Sequence, residues 1–220
     1  LEHRRQRQMC IRDRWEEDYP KVEVRDENGA LMCTIRAPFH LSATQGMDVV
    51  VSPQMSFGTG HHATTHLMTA SMLELPLEGQ TVLDMGCGTG VLALVAGLSK
   101  AKLVLGIDIE AHAVSNARDN LAKNPAVSNP VRFECGDGGL LSDHVDGKFE
   151  VVLANIHKNV LSQDMGAYAR VLGNGGDLLL SGFFEGDVPA MQACAEAAGL
   201  QVKGVKVLEG WACIACWKPE

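Results

Sequence analysis

A short apolar run, Thr81-Val82-Leu83, leads into Asp84-Met85-Gly86-Cys87-Gly88-Thr89-Gly90, and a helical pattern follows. Glycines at such a point let the backbone turn tightly and approach a ligand closely, because a Cβ would collide with it. NAD sites share this geometry, but they set G-x-G-x-x-G against a pyrophosphate at a helix N-terminus. Here the spacing is D-x-G-x-G-x-G, which suits a nucleoside whose far end is an amine. Asp84, Gly86 and Gly88 are therefore expected at a ligand. Asp108 closes the next apolar run, KLVLGID, 18 residues beyond Gly90. A carboxylate there is placed to accept both ribose hydroxyl protons.

S-adenosyl-L-methionine meets these terms, since it has a ribose and no phosphate and its methionine end carries an ammonium. Two further segments bear on it. Ser56-Phe57-Gly58-Thr59-Gly60-His61-His62-Ala63-Thr64-Thr65 precedes the glycine loop by about twenty residues and has the composition of a loop that closes over a ligand. A zinc reading also has to be weighed there, because His62 and His66 are spaced to share a helical face. No Glu adjoins His62 and no third ligand is near in sequence, so no metal is expected. Cys213-Ile214-Ala215-Cys216 has the C-x-x-C form, yet residues three apart on a strand face opposite ways, so these thiols read as packing residues. Asn155 ends the strand FEVVLANI. Ligands of open α/β sheets sit beyond the carboxyl ends of the strands, so its carbonyl oxygen can accept from an amine. Its plain alternative is the N-cap of the next helix.

Strands and helices must alternate to position these groups. Helices are expected over VLALVAGLSK, AHAVSNARDNLAKN, KNVLSQDMGAYARVL and 186–198, and strands over TVLDMG, KLVLGID, VRFEC, FEVVLANI and DLLLSGF. QVKGVKVLE and GWACIACW close the chain as an antiparallel pair. The pattern implies an α/β, Rossmann-like, mostly parallel seven-stranded sheet with helices on both faces. Ahead of it, KVEVRDENGALMCTIRAPF reads as a hairpin turning at Glu27-Asn28-Gly29. The expected organisation is a disordered or foreign segment over 1–14, a linker and hairpin over 15–55 and the cofactor-binding domain over 56–220.

The chain has 220 residues, 46% hydrophobic and 21% charged, with a net charge of -8. Residues 1–14 hold five Arg against Glu2 and Asp13, a balance of +3, which leaves -11 on residues 15–220. An acidic body disfavours direct nucleic-acid binding, although the basic start can alternatively be read as a nucleic-acid arm. It suits a basic protein partner. No apolar stretch has the length of a membrane span, and no apolar run follows the Arg-rich start as in a signal peptide. Seven scattered cysteines, an odd number, point to reduced thiols and a cytoplasmic setting.

In order, SFGTGHHATT, VLDMGCGTG, GIDIE, LANIHKNVL and LSGFFEGD resemble the methyltransferases that modify large-subunit ribosomal protein eleven, from about Trp15 to the C-terminus. The resemblance implies the class I methyltransferase fold and S-adenosyl-L-methionine as cofactor. It implies methylation of amines, either lysine side chains or an α-amino group, on that ribosomal protein. Thr65, Gly86, Asp108 and Asn155 would contact the cofactor or frame its methyl group, with Phe57 and Thr59 in the same pocket and Asn155 orienting the amine. His61 or His157 is the candidate to assist as a base. Members of the family carry an N-terminal α/β domain that recognises the substrate, and here most of that domain is absent before Trp15. A methyltransferase for another protein or a small molecule, a dehydrogenase, or a cofactor-binding module without substrate docking are the alternatives.

Overall fold

The computed structural model describes residues 20–52, 62–143 and 147–220. Strands β1 (Val22–Arg25) and β2 (Leu31–Arg36) form the expected hairpin. Asp26 Oδ1 accepts from the N–H groups of Asn28 and Ala30 at 2.9 and 2.8 Å, and Gly29 takes a φ of +82° that favours glycine. A third strand, β3 (Met47–Val50), lies parallel to β2 and was not legible in the sequence pattern. Arg36 binds the intervening loop together. Its guanidinium pairs with both Asp48 oxygens at 2.7 and 2.8 Å and donates to Ala37 O, His40 O and Ser42 Oγ. All five of its donors are thereby used.

Helix α1 (Ala63–Met72) leads to the main sheet. Its strands are β4 (Thr81–Met85), β5 (Leu103–Asp108), β6 (Val131–Cys135), β7 (Phe149–Asn155), β8 (Leu172–Phe184), β9 (Gln201–Leu208) and β10 (Trp211–Trp217). Helices α2 (Val91–Leu98), α3 (Ala111–Ala122), α4 (Lys158–Val171) and α5 (Val188–Ala197) connect them. The strand order is β6-β5-β4-β7-β8-β10-β9. Strands β4 to β8 are parallel, and β10 runs antiparallel to both β8 and β9. This is the anticipated seven-stranded sheet with its closing antiparallel pair. Strand β8 begins five residues earlier than DLLLSGF suggested, because the turn-like Gly173-Asn174-Gly175-Gly176 continues the strand.

Alternation along the strands divides the core into two layers. Val82, Leu153, Leu179 and Cys213 pack with α1, α2 and the small sheet. Leu83, Val152, Leu178, Ile214 and Cys216 face the other way, against Leu161, Met165, Tyr168 and Met191 of α4 and α5. Cys213 and Cys216 are thus on opposite faces, as a strand requires. The small sheet has no separate core: Val24, Cys33, Ile35 and Val49 belong to the same cluster as α2. Among the described residues no helix is long and apolar enough to cross a membrane.

Candidate active site

Strand order reverses between β4 and β7, and the crevice beyond their carboxyl ends is where an open α/β sheet binds ligands. A cavity of ≈ 410 Å³ lies there, within the range of small-molecule sites. Met85, Gly86 and Gly88 from the end of β4, Asp108 from β5 and Asn155 from β7 all line it.

The glycine loop is shaped by backbone bonds and by its own lack of side chains. Gly86 and Cys87 both donate to Ile107 O, at 2.8 and 3.0 Å. Gly86 has a φ of +66°, and a Cβ on it would stand 2.1 Å from Ile156 Cγ2. Asp108 fixes the next part of the turn: Oδ2 accepts from Gly88 N–H at 2.8 Å and Oδ1 from Glu110 N–H at 2.9 Å. A carboxylate oxygen accepts more than one bond, so Asp108 retains capacity for a ligand hydroxyl.

Asp84 does not line this cavity. It is 1% exposed, and its Oδ2 accepts from Ala93 N–H at 3.1 Å, in the first turn of α2. Strand alternation explains the placement: Met85 faces the cavity, so Asp84 faces α2. Burial, with a contribution from the Asp108 charge, pushes its carboxyl up to about 7. The direct contact with a ligand ammonium expected of Asp84 is therefore not provided by this geometry.

Asn155 is buried and lines the cavity, and its Oδ1 has no hydrogen-bond partner among the described residues. An N-cap role would use that oxygen, and the α4 N-cap is instead His157, without a side-chain bond. Buried polar atoms are nearly always satisfied, so an orphaned acceptor in a cavity wall marks a place for a ligand donor. The position depends on Gly182, which bulges out of the β8–β10 pairing with a φ of +99°. A Cβ there would stand 2.2 Å from Ile156 O. The bulge lets the backbone after Asn155 pass close to β8, where Ile156 N–H donates to Ser181 O at 3.2 Å.

Thr65 is fully buried one turn into α1 and is not in the cavity wall, although its Oγ1 also lacks a partner among the described residues. Phe57, Thr59 and His61 lie outside the described residues. His157 does line the cavity. His62 lines it as well, as the N-cap of α1: its side chain accepts from Thr64 N–H at 3.3 Å. Its ring also packs edge-on against Trp211, with centroids 4.5 Å apart. His66 does not join it in any group of three metal-binding side chains among the described residues.

Several wall residues escaped the sequence reading. Trp211 reaches the cavity only because β10 pairs it with Phe184 of β8, a contact that no local pattern announces. Ile109 is 67% exposed beside Asp108 and offers an apolar face. Asp137 and Asp164 supply carboxylates at the same end. Burial raises the Asp164 carboxyl above its ordinary value, opposed by its bond to Tyr168 and aided by the Asp137 charge. The signal for Asp137 was available: it follows the end of the third parallel strand in Gly136-Asp137-Gly138.

A glycine loop after the first parallel strand, a carboxylate closing the second, and an antiparallel strand inserted near the sheet edge define the class I methyltransferase fold. The structure is similar to a ribosomal protein L11 methylase from Lactobacillus delbrueckii subsp. bulgaricus, with a TM-score of 0.74 at 24% identity over 86% of this chain and 95% of that one. A cyclase, SpnF, also shares the fold, with a TM-score of 0.58 at 19% identity over 69% of this chain and 80% of that one. Fold alone thus leaves the reaction open. Sequence narrows it. The family described as ribosomal protein L11 methyltransferase (PrmA) matches residues 13–219, and the chain belongs to that family. It is 41% identical over 204 residues to the ribosomal protein L11 methyltransferase of Porphyromonas gingivalis, a match spanning 92% of this chain and 67% of that protein.

Proposed function

We infer that this chain transfers methyl groups from S-adenosyl-L-methionine to amines of ribosomal protein L11. Family membership carries the substrate, and Asn155 Oδ1, without a partner among the described residues and in the cavity wall, carries the assignment of the reacting point. The residues present fit the cofactor. Asp108 is set to accept from ribose hydroxyls while it holds Gly88, and Ile109 offers an apolar surface to a flat base. Asp137 and Asp164 can accept from an exocyclic amine.

When bound, the cofactor supplies a methyl group on an already activated sulfonium leaving group. The remaining work is binding and alignment. A lysine amine with a pKa of ~10.4 must lose a proton before its lone pair can attack. The apolar walls formed by Ile156, Val160 and Trp211 desolvate the amine and favour the neutral form. Asn155 Oδ1 and the neighbouring backbone carbonyl accept from its N–H groups and aim the lone pair, and water takes the proton. An acidic body steers a basic substrate toward this face. The setting expected for such a substrate is the cytoplasm.

The test is incubation of the chain with methyl-labelled S-adenosyl-L-methionine and isolated ribosomal proteins, followed by mass spectrometry of the labelled band. Label on ribosomal protein L11 amines is expected. Label only on another protein or on a small molecule would replace the substrate, and cofactor binding with no transfer would reduce the chain to a cofactor-binding module.

A further inference from the structure

Three asparagines lie on one face of α3 and its C-terminal end, at positions 116, 120 and 124, with exposures of 1, 0 and 4%. Asparagine is a poor helix former and is seldom fully buried. A ladder of three at successive turns therefore calls for partners of its own. Asn124 serves β3: its Oδ1 accepts from Val50 N–H at 2.9 Å and its Nδ2 donates to Val50 O at 2.8 Å. Its Nδ2 also closes the helix end through Asn120 O at 2.7 Å. Asn120 bridges two segments that are far apart in sequence. Its Oδ1 accepts from Ser52 N–H, just past β3, at 3.0 Å, and its Nδ2 donates to Thr89 O at 3.0 Å. A longer contact of 3.5 Å joins it to Asn116 Oδ1.

We propose that Asn120 is a positioning residue for the glycine loop, tying the Thr89 carbonyl to the end of β3 so that the small sheet helps to set the shape of the cofactor site. Thr89 sits between Gly88, which Asp108 holds, and Gly90, whose φ of +79° begins α2. The loop is therefore clamped on its ligand side by Asp108 and from behind by Asn120. Two flexible glycines flank the clamped carbonyl, and releasing it frees the turn that carries the Gly88 N–H. Asn124 makes the matched contact with β3 but does not touch the loop, which separates a loop effect from loss of sheet attachment. The affinity part of this proposal rests on the cofactor reading above; the loop-order part does not.

The experiment compares the full chain with Asn120→Ala and Asn124→Ala by hydrogen-exchange mass spectrometry and by calorimetric titration with S-adenosyl-L-methionine. Both variants should melt at lower temperature. Only Asn120→Ala should speed exchange across the peptide covering residues 84–91 and weaken cofactor binding, each by about three- to tenfold, the span of one buried neutral hydrogen bond. Turnover at saturating cofactor should stay within about twofold, because a positioning group changes affinity before chemistry. Asn120→Leu fills nearly the same volume and removes the donor to Thr89, so it should reproduce the loop effect even if the alanine variant does not fold. Unchanged exchange and affinity in the Asn120 variants, or equal loosening by Asn124→Ala, would overturn the proposal. A parent chain that binds no cofactor would sink the functional reading, while the exchange comparison would still decide this one.

Discussion

Two side chains in the cavity have separable duties in the proposed reaction. Asp108 already organises the loop through Gly88 and Glu110, so replacing it removes both a ligand acceptor and the loop's anchor. Asp108→Ala should weaken S-adenosyl-L-methionine by about 10–100-fold, as expected for losing charged hydrogen bonds; a titration giving the parental Kd would remove Asp108 from the cofactor site. In the proposed reaction Asn155 orients the nucleophile. Asn155→Ala should leave cofactor affinity within about threefold while lowering kcat by about 10²-fold, because alignment of the attacking amine is lost. Steady-state kinetics with the ribosomal protein separate the two, and an unchanged kcat would deny Asn155 its role. At this scale the types and strand-end positions of Asp108, Gly86, Gly88 and Asn155 were legible in the sequence, and these four residues line the cavity. Spacing locates Asp84 next to the glycines without saying which face of the strand its side chain takes, and that face is toward α2 rather than the cavity. Trp211 was invisible for a different reason: only the pairing of β10 with β8 brings it to the cavity.

The element most sensitive to charge is α2, whose first turn receives the Asp84 carboxylate at Ala93 N–H. A helix N-terminus favours an anion, whereas burial opposes it, and here burial dominates, pushing the carboxyl up to about 7. The unfolded chain holds this group near the ordinary value of ~3.9. The folded state therefore binds the proton more tightly, and the stability linked to it is fully present below about pH 4 and lost as pH rises to about 7. Compared with Asp84→Asn, the parent should lose roughly 2–4 kcal/mol across that window and run parallel to the variant above it. Urea unfolding of both proteins at about pH 5 and about pH 8 measures the difference; parallel curves throughout would show that Asp84 is not protonated in the folded state. Apolar periodicity and Gly-rich turns made most strands and helices legible, and the Asn28-Gly29 turn announced the first hairpin. Strand β3 was hidden, since a four-residue edge strand held by Arg36–Asp48 and by Asn124, just past α3, leaves little local pattern.

Across the whole molecule, the two core layers determine which cysteines can react. Burial raises the thiols of Cys33 and Cys216 to about 12 and of Cys213 to about 11, and it raises Cys87 as well. Cys135 is exposed and Cys194 half-buried. Since the thiolate is the reactive form, iodoacetamide should label Cys135 and Cys194 in the folded protein and reach Cys33, Cys87, Cys213 and Cys216 only on unfolding. Rapid native labelling of Cys213 together with Cys216 would contradict the layered packing. The same sheet brings Gly86, Gly88, Asp108 and Asn155 to one end, where order reverses between β4 and β7. Intact-mass spectrometry of purified ribosomal protein L11, after incubation with this chain and S-adenosyl-L-methionine, tests the account most directly. Successive methyl increments on its amines, strongly reduced with Asn155→Ala, are predicted. An unmodified ribosomal protein in the presence of bound cofactor would contradict it.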